Sequence, residues 1–226
     1  MAILYIIGTP IGNLGDISYR AAEILKTVDL VACEDTRRTL KLLNRLGIRA
    51  RLLSCRTQNE RSAAGEVVSV LDEGRTAAYA SDAGTPALSD PGSALVRRVL
   101  EAGHEVIPIP GPSAFAALVS VAGGADKTVV FEGFLSPKAG RRRSRLAELL
   151  AMDAAFVLYE SPFRVLKLLE DLAEFDKGRY VCVGREMTKV HEEYLRGPVE
   201  EILGLLAEKN RQIGEFSVYV SGKKSN

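Results

Sequence analysis

The residues best suited to chemistry fall in a few loops rich in glycine and proline. Ser81-Asp82-Ala83-Gly84-Thr85-Pro86-Ala87-Leu88-Ser89-Asp90-Pro91-Gly92 holds two carboxylates and three hydroxyls in twelve residues. A carboxylate at the end of a strand can accept a hydrogen bond from a ribose hydroxyl or an amino group. Asp90-Pro91 has the pattern of a helix N-cap and first turn, which gives Asp90 a structural role. Asp82 has no such role and is the candidate ligand. Gly8-Thr9-Pro10-Ile11-Gly12-Asn13-Leu14-Gly15-Asp16 has glycines that admit close backbone approach and amides that can bind an anion. It is neither GxGxxG nor GxxxxGK[ST], so it is not a nucleotide fingerprint, and a tight strand-to-helix turn explains it equally well. Gly111-Pro112-Ser113-Ala114 opens a helix, which Ser113 can cap. Tyr159 to Arg164 and Gly184 to Lys189, the latter followed by Val190-His191-Glu192-Glu193, place charges just beyond apolar runs. Either cluster alone reads as a solvated strand end; two together point to a polar cleft.

The elements that must position these loops alternate strand and helix. Ile3–Ile7, Leu30–Cys33, Arg51–Ser54, Thr76–Ala80 and Glu105–Ile109 read as strands. Helices are expected over Ser18–Lys26 (capped by Asp16 or Ser18), Thr36–Leu46, Glu60–Asp72 and Ser93–Ala102, three of them closed by Gly47, Gly74 and Gly103. This order predicts an α/β fold with a mostly parallel sheet whose ligand sites lie beyond the carboxyl ends of its strands. Pro108-Ile109-Pro110-Gly111-Pro112 marks a boundary, giving domains of residues 1–111 and 112–226. The second domain is expected to hold a small-residue helix (Ser113–Ala122) and strands over Thr128–Phe134, Ala155–Glu160, Arg179–Arg185 and Phe216–Val220. Its remaining helices are Ser144–Leu150, Arg164–Leu172 and Val199–Glu208, around a mixed sheet.

With 226 residues, 46% apolar and 26% charged, the chain has the composition of an ordinary globular protein. A net charge of +1 excludes RNA binding by whole-molecule charge and leaves local patches. Lys138-Ala139-Gly140-Arg141-Arg142-Arg143-Ser144-Arg145 has five basic residues and no acid. Arg37, Arg38 and Lys41 form a second set, and Arg56 with Arg61 a third. Without Trp or an aromatic-rich strand, recognition is expected to follow RNA shape and loops. Cys33, Cys55 and Cys182 form no CxxC pair, and His104 and His191 are the sole histidines, so no metal site or disulfide framework is expected and a reducing cytoplasm fits. Ala2–Ile7 is short and lacks a basic leader, which suits a strand rather than a signal peptide, and no apolar run is long enough to span a membrane.

Taken together, GTPIGNLGDIS, CEDTRRT, SDAGTPALSDPG, PGPSA, FEGFL, YESPFR and GREMTKVHEE occur in the order found in small-subunit ribosomal RNA 2′-O-ribose methyltransferases, which are tetrapyrrole-methylase-like (class III) enzymes. The resemblance runs from Ile3 to about Val220. It implies two α/β domains with S-adenosylmethionine in the cleft between them, a homodimer, and a cytidine ribose of the decoding region as target. It also implies cofactor contacts at Pro10, Asp82, Gly84, Thr85, Ser113, Ala114, Tyr159 and Met187, with Gly214 and Glu215 as lesser candidates. Many members carry a further helical segment after the last strand, where this sequence has only the residues to Asn226. Methyl transfer to a tetrapyrrole or another small molecule in the same fold is disfavoured by the basic run. A non-catalytic RNA-binding module is disfavoured by the Asp82 loop and the GREMTK segment.

Transfer of a methyl from a sulfonium to an alcohol is an in-line displacement, in which alignment alone can supply about 7–11 kcal/mol. A positioned base adds ~10²–10⁴-fold. Lys189, Glu192 and Glu186 are the candidates for base or orienting group. Lys189 must be neutral to act as base; as an ammonium it can stabilise the forming alkoxide while a glutamate takes the proton. Asn13 can hydrogen-bond the target ribose, as can Asp16. Arg37, Lys138, Arg141, Arg142 and Arg143 are the candidate RNA contacts.

Overall fold

A computed structural model describes residues 1–124, 126–207 and 212–222. The chain divides into two compact units, Met1–Ser113 and Ala114–Asn226.

In the first unit β1 (Ile3–Ile7), α1 (Tyr19–Thr27), β2 (Leu30–Cys33), α2 (Thr36–Leu46), β3 (Leu52–Ser54), α3 (Glu60–Asp72), β4 (Ala77–Ala80), α4 (Ser93–Glu101) and β5 (Glu105–Ile109) follow one another. The strands form one parallel sheet in the order β3-β2-β4-β1-β5. Alternate residues enter opposite cores. Leu4, Leu30, Ala32, Ala77 and Tyr79 pack with Val67 and Leu71 of α3 and Leu95 and Val99 of α4. Ile7, Val31 and Ala78 pack with Ala21 and Leu25 of α1 and Leu43 of α2. A sheet covered on both faces needs apolar side chains at every position, which is why its strands read as continuous apolar runs. Ser18 caps α1, accepting from the amide of Ala21 at 3.1 Å. Gly47 closes α2 at φ +68°, a conformation glycine adopts without a Cβ clash.

Asp90 corrects the sequence expectation. The residue before α4 is Gly92, which has no capping side chain of its own. Glu60 of α3 takes that place instead: its Oε1 accepts from the amides of Gly92, Ala94 and Leu95 at 3.0, 2.9 and 3.1 Å. One carboxylate thus satisfies three amides at the helix start from a distant part of the chain.

In the second unit α5 (Ala114–Ala122) is followed by β6 (Val129–Phe134), α6 (Ala139–Ala151), β7 (Ala155–Glu160), α7 (Val165–Phe175) and β8 (Tyr180–Arg185). Then come β9 (Glu193–Pro198), α8 (Val199–Ala207) and β10 (Phe216–Val220). The sheet order is β6-β7-β10-β8-β9, with β6 and β7 parallel and the other pairs antiparallel. Strand β9 was not foreseen. Its sequence, EYLRGP, is polar and ends in Gly-Pro, which an edge strand tolerates and which masks it from an apolar-run criterion. Helix α6 starts at Ala139 rather than Ser144, so most of the basic run is helical. Glu208, the expected end of α8, lies outside the described residues.

Candidate active site

In an open parallel sheet the ligand crevice lies where neighbouring strands send the chain in opposite directions. Here that point is the β1–β4 pair: the chain leaves β1 toward β2 and leaves β4 toward β5. The loops after β1, β4 and β5 are fastened together there, backbone to backbone. Thr9 and Gly84 exchange two hydrogen bonds of 2.9 and 3.0 Å, and the Gly8 amide donates to the Ile109 carbonyl at 3.1 Å. Thr9, which the sequence reading did not single out, is buried, and its hydroxyl donates to the Ser81 carbonyl at 3.2 Å. The close approach that Gly8 permits is to Gly111: a Cβ on Gly111 would lie 2.5 Å from the Gly8 carbonyl oxygen. The glycine therefore serves loop-to-loop packing.

Pro10 is buried beside this junction, and Gly84 takes φ +82° within it. Thr85 is exposed, with its hydroxyl 3.5 Å from the Pro112 carbonyl, next to Ser113. Asp82 faces the α2 side: its Oδ1 accepts from the Asp35 amide at 2.9 Å, and its Oδ2 lies 3.6 Å from Arg38 Nε. Burial, reinforced by Glu34 and Asp82, pushes the Asp90 carboxyl up to about 6. Burial and then Asp82 likewise push Glu34 up. Asn13 is exposed and caps the short 3-10 turn at Leu14–Asp16 through the Gly15 amide at 2.9 Å. Arg37 is exposed, its guanidinium forked onto Asp35 at 2.7 and 3.1 Å.

The second unit gathers its candidates at one sheet end. Because β10 runs antiparallel to β7 and β8, Phe216 pairs with Glu160 and Arg185, and the loops beyond those residues meet. The Tyr159 hydroxyl accepts from the Phe115 amide at 2.9 Å, which joins it to the start of α5 beside Ala114. Met187 is buried against Gly184. Glu186 Oε1 accepts from Lys189 Nζ at 2.7 Å and from the Glu215 amide at 2.9 Å, while Lys189 also donates to Glu215 Oε2 at 2.9 Å. The Glu186 side chain lies against Gly214, at φ +104°, where a Cβ would overlap it. Partial burial pulls the Lys189 ammonium toward neutrality, but Glu186 and Glu215 outweigh it and hold it above the usual lysine range. Partial burial opposes the ionisation of Glu186, and Lys189 with the Glu215 amide holds it below the usual carboxylate range nonetheless. Glu192 accepts from the Thr188 amide at 2.8 Å and the Tyr194 hydroxyl at 2.7 Å, which lowers it as well. The lysine is thus built as a cation within the second unit.

Among the described residues, the non-glycine residues with left-handed backbone are Ala87, Ser89, Glu186 and Thr188, at φ +65°, +66°, +49° and +66°. They fall in two loops, the one after β4 and the one after β8. Such strain persists only where surrounding structure enforces it, and it concentrates at functional sites.

The basic run is largely committed inside the protein. Arg142 lies on the same face of α6 as Leu146 and Leu149 and is 5% exposed, with Nε 2.6 Å from Asp171 Oδ2. That burial withdraws Arg142 from the expected RNA contacts. Arg143 pairs with Asp171 at 3.2 Å and with Glu174, and Arg145 with Glu132 and Glu148. Lys138 and Arg141 remain exposed. No described group of His, Cys, Asp and Glu could hold a metal ion, and no described helix is long and apolar enough to cross a membrane.

Comparison with known proteins places this geometry. The chain is 46% identical over 224 residues to a ribosomal RNA small subunit methyltransferase I of Borrelia garinii, covering 99% of this chain and all of that one. It is 44% identical over 224 residues to a protein of the same name from Thermotoga maritima, with the same coverage. The fold resembles the crystal structure of uroporphyrin-III-C-methyltransferase from Thermus thermophilus, with a TM-score of 0.68 and 16% identity over 97% of this chain and 94% of the other. Residues 3–203 match the family model of the tetrapyrrole (corrin/porphyrin) methylases, and the chain belongs to that family.

Proposed function

We propose that this protein transfers a methyl group from S-adenosyl-L-methionine to the 2′-hydroxyl of a cytidine ribose in the decoding region of small-subunit ribosomal RNA. The shared name of its full-length relatives supplies the substrate class. The observation on the molecule that carries the reading is the left-handed backbone concentrated in the loops after β4 and β8. The protein works in the cytoplasm as a homodimer.

The donor set fits a cationic cofactor. Glu34, Asp82 and Asp90 lie close enough for Asp82 to raise Glu34, and for both to raise Asp90. Such a negative field favours a ligand bearing sulfonium and ammonium groups. In the first unit the residues proposed to contact the donor are Pro10, Asp82, Gly84, Thr85 and Ser113; in the second unit, taken by itself, they are Ala114, Tyr159 and Met187. S-adenosyl-L-methionine, when bound, supplies the methyl group as an electrophile.

The chain's own part is to align the acceptor oxygen and manage its proton. Lys189 is held charged, so it is the orienting cation that stabilises the oxygen as its proton leaves, rather than the base. Glu186, itself packed against Gly214, holds the lysine beside Glu215. Glu192, an exposed carboxylate, takes the proton. Asn13, Arg37, Lys138 and Arg141 face the RNA, while Arg143 is held by Asp171 and Glu174.

Ribose methylation mapped on small-subunit RNA from a deletion strain tests the reading. One site is lost, and the wild-type chain restores it. An unchanged methylation map removes the proposal. Lys189→Ala keeps donor affinity by calorimetry and loses about 10²–10³-fold in single-turnover rate. An unchanged rate removes Lys189 from the mechanism.

A further inference from the structure

The carboxyl end of the first sheet carries a second feature beside the fastened loops. A pocket of about 610 Å³ opens over the ends of β2, β3 and β4, lined in part by Glu34, Asp35, Arg37, Arg56, Asn59 and Asp82. That volume is in the range of small-ligand sites. Its walls are fixed by cross-links between loops distant in sequence. Arg56 Nε donates to the Glu34 carbonyl at 3.1 Å. Asn59 folds the turn after β3, accepting from the Arg56 amide at 2.7 Å and donating to the Ser54 carbonyl at 2.9 Å. Asp82 ties the far wall to Asp35 at 2.9 Å.

The lining carries both signs of charge. Two guanidinium groups disfavour a simple cation, and three carboxylates disfavour a bare polyphosphate. A nucleotide satisfies both, since it offers phosphates to the arginines and a hydrogen-bond-donating base edge to the carboxylates. The pocket residues include no aromatic ring, so a base would be read by its edge rather than by stacking. Glu34 is the carboxylate suited to that edge. Burial and Asp82 destabilise its charge, and a donating amino group would relieve this.

We propose that this pocket receives the acceptor nucleotide, turned out of its strand, with Arg37 and Arg56 on its phosphates and the Glu34 carboxylate accepting from the amino group of the base. This rests on the RNA methyltransferase reading above, which makes that base a cytosine, whose amino group is the donor a uracil lacks.

Fluorescence anisotropy with the labelled pentaribonucleotides UUCUU and UUUUU tests it. The wild type binds UUCUU about fivefold or more tightly. Glu34→Ala brings the ratio to near one without weakening UUUUU. Arg56→Ala weakens both oligonucleotides and lowers the salt slope by about 1. Arg56→Lys, which keeps the charge, restores most of the affinity, whereas a purely structural role would not be rescued. Calorimetric donor binding by each variant shows that the fold is intact. Equal binding of both oligonucleotides by the wild type, or a full preference in Glu34→Ala, overturns the assignment. Methylation of small subunits, run alongside, separates the two claims. A wild type that methylates, with Glu34→Ala and Arg56→Ala equally active, overturns the pocket alone. A wild type that never methylates removes the underlying reading, and the assignment with it.

Discussion

Asp90 shows how one residue can carry a pH signature. Its folded-state carboxyl binds a proton more tightly than in the unfolded chain, because burial and the neighbouring Glu34 and Asp82 disfavour its charge. The folded state therefore holds more protons than the unfolded state between about pH 4 and 6, and stability falls as pH rises through that window. Asp90→Asn removes the ionisation and is expected to stabilise the protein by roughly 1–2 kcal/mol at pH 7.5. The gain shrinks as pH falls and approaches zero only by about pH 3, below both the folded and the unfolded pKa, where Asp90 is protonated in both states. Urea melts across this range measure it, and a pH-independent difference would contradict the assignment. Lys189 is the opposite case: its carboxylate partners favour its charge, so its ammonium persists across the working range.

At the level of elements, the start of α4 depends on a carboxylate from α3. Glu60 accepts from three amides of that turn. Glu60→Ala leaves them without their protein acceptor and is expected to cost about 1–3 kcal/mol, with Glu60→Gln losing less because the amide oxygen still accepts. Urea denaturation reads both. Equal stability of Glu60→Ala and wild type would mean that water replaces the cap at no cost. The turn in question follows the loop with left-handed Ala87 and Ser89, so the alanine variant should also weaken donor binding.

For the whole molecule, the net charge of +1 means that RNA affinity depends on which cations stay outside. Lys138 and Arg141 are exposed, while Arg142 is buried on Asp171. Replacing Lys138 or Arg141 by alanine is expected to lower the slope of log affinity for small-subunit RNA against log salt by about 1 each, with unchanged melting. Arg142→Ala is expected to lower stability by roughly 2–3 kcal/mol, because it removes the buried partner of the Asp171 carboxylate and leaves it with Arg143. Filter binding at several salt concentrations, paired with thermal melts, separates the two classes.

Much of this was open to a reading of the chain alone. Strands such as Ile3–Ile7 and Leu30–Cys33 carry their signal in consecutive residues, since both faces are buried, and glycines such as Gly47 mark helix ends locally. The order of those elements determined a parallel sheet and the loops at its carboxyl end. Tertiary structure decided the rest, because it turns on partners far apart in sequence. A local capping rule offers Asp90 for α4, but the sheet brings Glu60 there. A run of arginines looks like a solvated patch until the helical repeat turns Arg142 inward with Leu146 and Leu149. Gly8 looks free for a ligand until β5 delivers Gly111 against it. Local sequence specifies which hydrogen-bonding and charged groups exist; only the packed chain specifies which of them are already satisfied, and so which are left for substrate.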